Sequence, residues 1–552
     1  MDKTFDVIIP SATLVPDELR TMGKLPGIIY PINQKIVFDY LYEQYSGIPG
    51  TIDVICYQSK EKVHRRLSNY KDTKIKIKDL DVLDDLGHTL YFAMKEKTVP
   101  AVVNFADTIV LDENLIDSNK DTVFYSEDYP SDVWTFFEIN DGMITSIDDK
   151  IEIYREEKKK FFVGVFVILD CAFFCKCLEQ AFAVKNRSMS TFYYALCRYS
   201  EKYPFAAQKA DQWFDIGHAE TYYNTKLEVK AREFNHITVD KNRGILKKTS
   251  DDKDKFIGEI LWYLKLPADI EYVRPRIFGY SVSYNNPYIS MEYYAYHTIH
   301  ELFLYGDLNY HQWNAVFDKI RFVCSDFRRY SVKDDGIQQA LKDMYYTKTL
   351  KRMEMLKTDV RFHSFFEKPI QINGVRYRCL NDIAESLGKV IPEMLFDVDE
   401  FHIIHGDLCF ANVMVDSNNS FIKVIDPRGK FGKYDIYGDT RYELAKLLHS
   451  VDGKYDFIIK NLFTLEYDEE NAMISYGILD RKREFDLYKL FLKVFFDEIG
   501  ENLKKIELIE SLLFLSMIPL HGESIQHQMV MLATGIEILD RVIDIREQTK
   551  NV

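Results

Sequence analysis

The sequence predicts two domains of different class, an α/β domain at the N-terminus and an α+β domain at the C-terminus. The chain has 552 residues, which is too long for a single hydrophobic core and is typical of several compact units. In the first 230 residues, short continuous apolar runs such as DVIIP, VPAVVNF and FFVGVFVIL predict buried strands. From about residue 300 onward, apolar residues recur every three or four positions, which predicts a helical lobe.

The domain boundary is expected within 228–238, VKAREFNHITV, between the last motif of the first domain and the first strands of the second. We therefore predict an N-terminal domain over 1–230, a small strand-containing lobe over 231–295 and a helical lobe over 296–552. No Pro/Ser-rich tether separates the domains, and the sequence contains no internal repeat.

Composition and charge exclude several classes of function. Apolar residues make up 47% and charged residues 28% of the chain, as in ordinary globular proteins, but the net charge is −15. That charge disfavours nucleic acid or an anionic membrane surface as the main partner and leaves a small-molecule substrate. No run approaches the ~20 apolar residues that span a bilayer, and MDKTFDVIIP lacks the pattern of a secretion signal. We expect a cytoplasmic protein with eight free cysteines, and the oligomeric state stays open.

The segment 402–429, HIIHGDLCFANVMVDSNNSFIKVIDPRG, is typical of a phosphoryl-transfer site. Asp407 and Asn412 lie five positions apart in a loop between two strand-like runs, and Asp426 follows a third run, FIKVI. In such a layout one carboxylate orients a substrate hydroxyl and accepts its proton. An amide oxygen and a second carboxylate hold the magnesium that bridges the nucleotide phosphates. We expect Asp407 to be the base, and Asn412 and Asp426 to bind Mg²⁺.

The upstream segment RGILKKTSDDKDKFIGEILWYLKLP predicts a strand ending in two lysines, followed by a helix that carries Glu259. A strand lysine held by a helix glutamate grips the α- and β-phosphates of a nucleotide in protein kinases. Period-two alternation does not decide between Lys247 and Lys248, although K-T-S followed by E-I-x-W-Y favours Lys248. We therefore assign the catalytic roles to Lys248 and Glu259.

These motifs, with HGD in place of the HRD of protein kinases, resemble the aminoglycoside phosphotransferase and choline kinase superfamily of small-molecule kinases. The resemblance implies a protein-kinase-like domain that uses ATP, with the adenine at a hinge spanning Met291 and Tyr293. It implies a structural role for Asp439, which we expect to brace the catalytic loop. It also implies an acceptor pocket in the helical lobe, whose candidate residues are Tyr434, Tyr437, Glu443, His449 and His521.

The first domain carries a second set of motifs. GKLPGIIYPINQKIVFDYLYEQY, the run VPAVVNFADTIVL with Asp107, and WFDIGHAETYY with Asp215 occur in this order. Together they resemble the signatures of sugar-nucleotide pyrophosphorylases. The resemblance implies a nucleotidyltransferase domain of GT-A/Rossmann-like α/β fold with a mixed, mostly parallel sheet. In it, Asp107 and Asp215 would bind Mg²⁺ for attack of a phosphate monoester on a nucleoside triphosphate.

One departure from that family concerns the triphosphate loop. The family's G-x-G-T-R-L loop wraps the phosphates with backbone amides because glycine lets the chain approach closely. Here the segment is PSATLVPDELRTMGK, with no glycine before Gly23. Arg20 and Lys24 are the residues that could supply positive charge instead.

Four functions for the whole chain follow. The leading one is a bifunctional enzyme that phosphorylates a hydroxyl with ATP and then couples that phosphate to a nucleotide, as in capsule or other bacterial surface polysaccharide assembly. In the second, only the kinase is active and the N-terminal domain binds without turnover. The third is a non-catalytic nucleotide-binding regulator. The fourth makes the N-terminal domain a glycosyltransferase, against which the WFDIG motif and the absence of a clear D-x-D argue.

The substrates stay open at this stage. A sugar would require several hydrogen-bonding side chains, whereas an amino alcohol such as choline would require aromatic faces around its ammonium group. The expected cofactors are Mg²⁺, ATP and a second nucleoside triphosphate, for which CTP is suggested only by analogy with choline activation.

Overall fold

The chain forms two compact units in the computed structural model. One comprises Met1–Arg232 with Tyr305–Asp307, and the other comprises Glu233–Leu304 with Leu308–Val552. The structure describes residues 4–33, 35–111, 119–128, 133–150, 157–184, 189–210, 212–233, 236–240, 242–416, 421–480 and 483–547. Among these residues, no helix combines the length and the apolar character needed to cross a bilayer.

The first unit is an α/β domain, as predicted. Its strands are β1 Asp6–Ser11, β2 Pro31–Ile32, β3 Lys35–Ile36, β4 Ile52–Cys56, β5 Ile75–Asp79, β6 Ala101–Asn104, β7 Thr108–Val110, β8 Thr122–Asp128, β9 Thr135–Asn140, β10 Met143–Asp149, β11 Lys159–Ile168, β12 Ala206–Lys209 and β13 Trp213–Asp215. Its helices are α1 Val37–Tyr45, α2 Lys60–Leu67, α3 Leu86–Met94, α4 Cys171–Ala183, α5 Thr191–Ser200 and α6 Ala219–Glu233.

The main sheet of this unit is mixed. Its strand order is β10-β9-β11-β6-β1-β4-β5, with β8 pairing β11 and β12. The strands β6, β1, β4 and β5 are parallel, whereas β11 runs antiparallel to β6, β8 and β9. The continuous apolar runs of β1 and β11 are buried because helices cover the sheet, as expected for strands with two covered faces.

A charged cluster connects residues of the parallel strands β1, β4 and β5. Lys97 lies between Asp6 of β1 and Asp53 of β4, with its Nζ 2.7 Å from a carboxylate oxygen of Asp53. Lys78 binds the same carboxylate at 2.6 Å. Burial raises the pKa of Asp53, but the two ammonium groups outweigh it and lower this pKa below its ordinary value. The carboxylate is therefore charged in the interior and depends on its lysines.

Lys97→Met should therefore destabilise the first unit, because it leaves the buried Asp53 with a single cation and Asp6 with none. We expect the free energy of unfolding to fall by roughly 3 kcal/mol, measured by urea denaturation followed by circular dichroism. Lys95→Met, at an exposed position two residues away, should change it by less than about 0.5 kcal/mol. Equal stabilities of the two variants would contradict the assignment.

The second unit combines small sheets with many helices. Its strands are β14 Ile237–Asp240, β15 Ile245–Lys248, β16 Ile277–Ser281, β17 Tyr288–Glu292, β18 His297–Thr298, β19 Ser331–Val332, β20 Ile370–Ile372, β21 Val375–Tyr377, β22 Phe401–Ile403, β23 Val413–Val415, β24 Ile422–Val424, β25 Tyr437–Gly438, β26 Phe463–Asp468 and β27 Met473–Ile478. Its helices are α7 Lys253–Lys265, α8 Ile299–Leu304, α9 Tyr310–Arg328, α10 Ile337–Leu341, α11 Lys348–Lys357, α12 His363–Glu367, α13 Leu380–Leu395, α14 Thr440–Val451, α15 Tyr455–Ile458, α16 Leu487–Val494, α17 Phe496–Ile499, α18 Leu503–Met517 and α19 Ile525–Asp540.

Two parts of this unit position the candidate site. The first is the antiparallel sheet β14-β15-β17-β16, with α7 following β15 in the chain. The second is the antiparallel hairpin β23–β24. It belongs to a mainly helical region that includes α14, α18 and α19. Helices α18 and α19 are apolar and buried around most of their circumference, as expected for helices inside a large core.

Candidate active site

The end of β15 and the middle of α7 bring a lysine and a glutamate together. The Nζ of Lys248 lies 2.8 and 3.0 Å from the carboxylate oxygens of Glu259, and 2.8 Å from Oδ1 of Asp426. The neighbouring Lys247 is exposed, with its Nζ 4.5 Å from the centre of the Tyr288 ring. Of the two lysines that the sequence left open, Lys248 is therefore the one that contacts the acidic groups.

Neighbouring charges shift the pKa values of Lys248 and Glu259. Burial lowers the pKa of Lys248, but the charges of Asp426 and Glu259 raise it by more than burial lowers it. The ammonium group therefore stays charged at neutral pH. Burial, together with the charge of Asp426, raises the pKa of Glu259. The ammonium group of Lys248 is thus shared by two carboxylates, those of Glu259 and Asp426.

One buried carboxylate binds the backbone of the loop after β22. The backbone N–H groups of His405 and Gly406 each donate a hydrogen bond of 2.8 Å to Glu443 of helix α14. Gly406 has φ +76°, and a Cβ at this position would lie 3.0 Å from Cβ of Arg428. The left-handed backbone and the close neighbour both favour glycine here. The loop conformation that presents Asp407 therefore depends on Gly406 and Glu443.

His405 is a buried, neutral part of the loop. Burial lowers its pKa to about 4. Its Nδ1 accepts the backbone N–H of Asp407 at 3.3 Å, which leaves Nε2 to donate to the carbonyl oxygen of Ile425 at 2.9 Å. This hydrogen-bond network defines the tautomer. His405 therefore joins the Asp407 loop to the strand that precedes Asp426.

Asp407 is ionised and oriented. Burial raises the pKa of Asp407, but the Lys446 ammonium, 2.9 Å from Oδ1, outweighs it and lowers this pKa to about 2. The amide nitrogen of Asn412 donates to the backbone oxygen of Asp407 at 2.8 Å and to its Oδ2 at 3.1 Å. The carboxylate is therefore a fixed hydrogen-bond acceptor at neutral pH.

The hairpin β23–β24 places two oxygen donors at the same end. Its register pairs Val413 with Val424, and the N–H of Ile425 donates to the carbonyl oxygen of Asn412 at 2.9 Å. The side-chain nitrogen of Asn412 is used by Asp407, so its amide oxygen is the atom left as a ligand. Amide and carboxylate oxygens are ligands that Mg²⁺ binds in proteins.

Backbone strain accompanies this end of the hairpin. Asp426 has φ +55°, in the left-handed region that a residue other than glycine adopts at some cost. Three residues on, Gly429 has φ +62°, and a Cβ there would lie 2.0 Å from the carbonyl oxygen of Gly258 on α7. This contact between glycines brings the backbone after Asp426 directly against the helix that carries Glu259.

One cavity of about 860 Å³ is lined by Lys248, Glu259, Asp407, Asn412 and Asp426. Its lining also includes residues that the sequence reasoning missed, namely Lys348 and Arg352 of α11, Arg428 of the loop after β24, and Tyr442 and Lys446 of α14. The sequence contained a signal for the two pairs of residues on helices. Lys348 and Arg352 are four positions apart, as are Tyr442 and Lys446, so the members of each pair share a helix face.

The acceptor-pocket residues expected from the sequence lie elsewhere. Tyr434, Tyr437, Glu443, His449 and His521 are not among the described residues that line the cavity. The brace of the catalytic loop is Glu443 rather than Asp439. Asp439 instead caps α14 by accepting the N–H of Arg441 at 2.9 Å, and it binds the guanidinium of the same arginine.

The predicted hinge residues lie at the end of β17. Met291 lies inside β17, where it pairs with Leu246 and Ile277, and the strand continues to Glu292. The N–H of Tyr293 donates to the carbonyl oxygen of Gly244 at 2.8 Å. Neither Met291 nor Tyr293 is among the described residues lining the cavity. A strand end depends on where its partner strands end, for which the local sequence holds no signal.

In the first unit, Asp107 and Asp215 approach each other across Gly217. A Cβ on Gly217 would lie 3.1 Å from Oδ2 of Asp107 and 3.2 Å from Oδ1 of Asp215. Pairing of β7 with β13 produces this proximity. Burial, and then the charge of Asp215, raise the pKa of Asp107 to about 6. Two carboxylates held this close form a candidate site for a divalent cation.

A cleft of about 270 Å³ adjoins these carboxylates. It is lined by residues 10–16, the segment after β1, and by Asp107 and Gly217. Arg20 and Lys24 are not among its described lining residues. Arg20 instead forms an ion pair with Asp17 and donates from Nε to the carbonyl oxygen of Val15 at 3.0 Å. The structure therefore does not bring these two cations to the cleft.

Comparisons with known proteins concern the N-terminal part. No protein-family model and no curated protein matches the chain. This chain is similar to HddC from Yersinia pseudotuberculosis, with 18% identity and a TM-score of 0.31. The alignment covers 41% of this chain and 100% of HddC. It is also similar to the CTP:phosphocholine cytidylyltransferase LicC from Streptococcus pneumoniae, with 15% identity and a TM-score of 0.34. That alignment covers 41% of this chain and 99% of LicC. A third similar structure is the inositol-1-phosphate CTP transferase from T. maritima, with 12% identity and a TM-score of 0.31. The alignment covers 41% of this chain and 97% of the transferase. These identities and scores are too low to carry a conclusion about activity.

Glu443 generates a pH-dependent prediction. Burial raises its pKa to about 7, above the ~4.3 of an unfolded chain. Its contribution to stability is therefore fully present below pH ~4.3 and is lost as the pH rises through about 7. As the pH rises between these values, the free energy of unfolding of the unmodified protein should fall by roughly 3 kcal/mol relative to that of Glu443→Gln.

Urea denaturation of parent and variant at several pH values between 4.5 and 8 measures this difference. Glu385→Gln, which alters an exposed glutamate, should follow the parent at every pH. Parallel pH profiles for the parent and Glu443→Gln would show that this carboxyl does not titrate as a buried group.

Proposed function

We propose that the chain is a bifunctional enzyme whose C-terminal unit is an ATP-dependent small-molecule kinase and whose N-terminal unit is a nucleotidyltransferase. The observation that carries the kinase proposal is the convergence of five side chains in one cavity, those of Lys248, Glu259, Asp407, Asn412 and Asp426. Such a cavity can hold a triphosphate and a small acceptor together, with the hydroxyl-orienting carboxylate beside the candidate metal ligands.

In the proposed phosphoryl transfer, the acceptor hydroxyl donates a hydrogen bond to Asp407. Its oxygen attacks the γ-phosphorus of ATP, the bond to the β–γ bridging oxygen breaks, and ADP leaves. The hydroxyl proton passes to Asp407 as the new O–P bond forms. A carboxylate with a pKa near 2 is a weak base, so its contribution is orientation and late acceptance of the proton, as a loose transition state requires.

Other residues position the groups that react. Lys248, held by Glu259, would bind the α- and β-phosphates, and Asn412 and Asp426 would hold Mg²⁺. When bound, that ion would neutralise charge on the nucleotide phosphates. Lys446 keeps Asp407 ionised and limits its rotation through their ion pair. The protein's contribution is thus mainly position and electrostatics.

For the N-terminal unit we propose attack of a phosphate monoester on the α-phosphorus of a nucleoside triphosphate, with pyrophosphate as the leaving group. Asp107 and Asp215 would hold the divalent cation for this step. The product would be a nucleotide-activated precursor for bacterial surface polysaccharide, and CTP is the nucleotide to test first. The monoester would come from the kinase reaction of the same chain.

A second candidate keeps only the kinase active. The N-terminal cleft has neither a glycine-rich segment nor Arg20 or Lys24 among its described lining residues. Because a triphosphate needs amide or cationic donors, these features favour a unit that binds a nucleotide or sugar phosphate without turnover.

Asp407→Asn should remove phosphoryl transfer while ATP still binds. We expect kcat to fall by about 10²- to 10⁴-fold with little change in ATP affinity, because Asp407 does not contact Lys248. The assay incubates the protein with ATP, Mg²⁺ and a panel of sugars, amino alcohols and hydroxy acids, and resolves products by mass. Asp335→Asn, at an exposed position, serves as the control. Full activity in Asp407→Asn would refute the role of this residue.

Asp215→Ala separates the two candidate functions. In the bifunctional enzyme it should abolish formation of a nucleotide-diphosphate adduct from CTP and the phosphorylated acceptor, while ATP consumption is unchanged. Mass analysis detects both products in one reaction. If the parent chain forms the phosphorylated acceptor but no adduct with any nucleoside triphosphate, the second candidate holds instead.

A further inference from the structure

Three half-buried cations in the C-terminal cavity lack an acidic partner among the described residues, whereas Lys255 and Lys430, which also line it, are exposed. Lys348 and Arg352 lie one turn apart on α11, and Arg428 follows β24. Arg352 donates to the backbone oxygen and the hydroxyl of Ser516 at 3.1 and 3.4 Å. The other two contact Tyr442: Arg428 donates to its hydroxyl at 3.0 Å, and Lys348 lies 5.8 Å from its ring centre.

This arrangement differs from that of the two other half-buried cations in the cavity. Lys248 is matched by Glu259 and Asp426, and Lys446 is matched by Asp407. Burial and the neighbouring arginines lower the pKa of Lys348 to about 8, against the influence of Tyr442, so like charges are held together at a cost. A chain of net charge −15 has carboxylates available for pairing, yet none is placed here.

The cluster lies close to the reacting groups. Tyr442 is one helical turn from Lys446 on α14, and Lys446 forms the ion pair with Asp407. Lys348 and Arg352 therefore belong to the side of the cavity formed by α11 and α14. The phosphate-binding Lys248 comes from a different part of the unit, at the end of β15. The position fits an acceptor rather than the nucleotide.

We propose that Lys348, Arg352 and Arg428 form an anion-binding subsite, and that the acceptor is a small hydroxyl compound carrying a phosphate or carboxylate group. The proposal rests on the kinase function proposed above. Guanidinium and ammonium groups converging without carboxylates are the chemistry that recognises such anions. The anion would offset the repulsion among the three cations, and its hydroxyl would extend toward Asp407.

The same observations disfavour choline as the acceptor. A quaternary ammonium group requires several aromatic faces, whereas Tyr442 is the one aromatic side chain among the described residues that line the cavity. That ring already faces Lys348. Three unmatched cations would also repel a cationic acceptor.

The test uses the full chain saturated with ADP and Mg²⁺, so that the nucleotide phosphates are already bound. Inorganic phosphate and malonate are then titrated by calorimetry as probes for a phosphate and a carboxylate acceptor. We expect at least one anion to bind the parent. Lys348→Met and Arg352→Met should each weaken that binding about tenfold, and the double variant about 100-fold.

Lys351→Met is the matched control, because Lys351 lies exposed on the same helix, and it should bind the anion as the parent does. Thermal melting of each variant verifies that the fold is intact. The inference is overturned if neither anion binds the ADP-saturated parent or if the double variant binds as tightly as the parent. It is also overturned if the double variant loses affinity for ADP instead, since the cations would then serve the nucleotide.

The outcomes separate this inference from the proposed function. A parent that binds neither ADP nor ATP refutes the kinase proposal itself, whereas a parent that binds ADP but no anion refutes only the acceptor class. In the acceptor screen, the preferred substrate should carry a phosphate or carboxylate besides the phosphoryl group it receives. A preference for a neutral sugar or for choline would overturn the inference.

Discussion

The candidate site of the C-terminal unit depends on the buried carboxylate of Glu443. It accepts the backbone N–H groups of His405 and Gly406 at 2.8 Å, and these precede Asp407 directly. Two N–H groups buried without a partner would destabilise this loop conformation. From the same helix, Lys446 fixes the side chain of Asp407. Helix α14 thus holds both the backbone and the carboxylate of the candidate base.

Charge is arranged differently in the two parts of the cavity. Near β15 and α7, Lys248 contacts the carboxylates of Glu259 and Asp426, a setting that suits a nucleotide accompanied by a divalent cation. Near α11 and α14, cations outnumber carboxylates, which suits an anionic acceptor. Both groups of charges line one cavity of about 860 Å³.

The sequence was informative where the chemistry requires residues at short spacing. Asp407 and Asn412 are five apart, and the structure joins them directly by hydrogen bonds of 2.8 and 3.1 Å. The strand and helix that carry Lys248 and Glu259 were also predictable, because they follow one another in the chain. For Glu443 the sequence predicts a pocket residue, whereas its carboxylate supports the backbone of His405, 38 positions away.

The order of the carboxylates, the two lysine candidates and the α/β class of the N-terminal unit were determined by the sequence itself, because they rest on local spacing and apolar runs. Tertiary structure alone decided that Lys248 turns inward, that β17 continues through Met291, and that Arg20 pairs with Asp17. It alone gathered Lys348, Arg352 and Arg428 in one cavity. These outcomes depend on packing between segments far apart in the chain, for which no local pattern carries information.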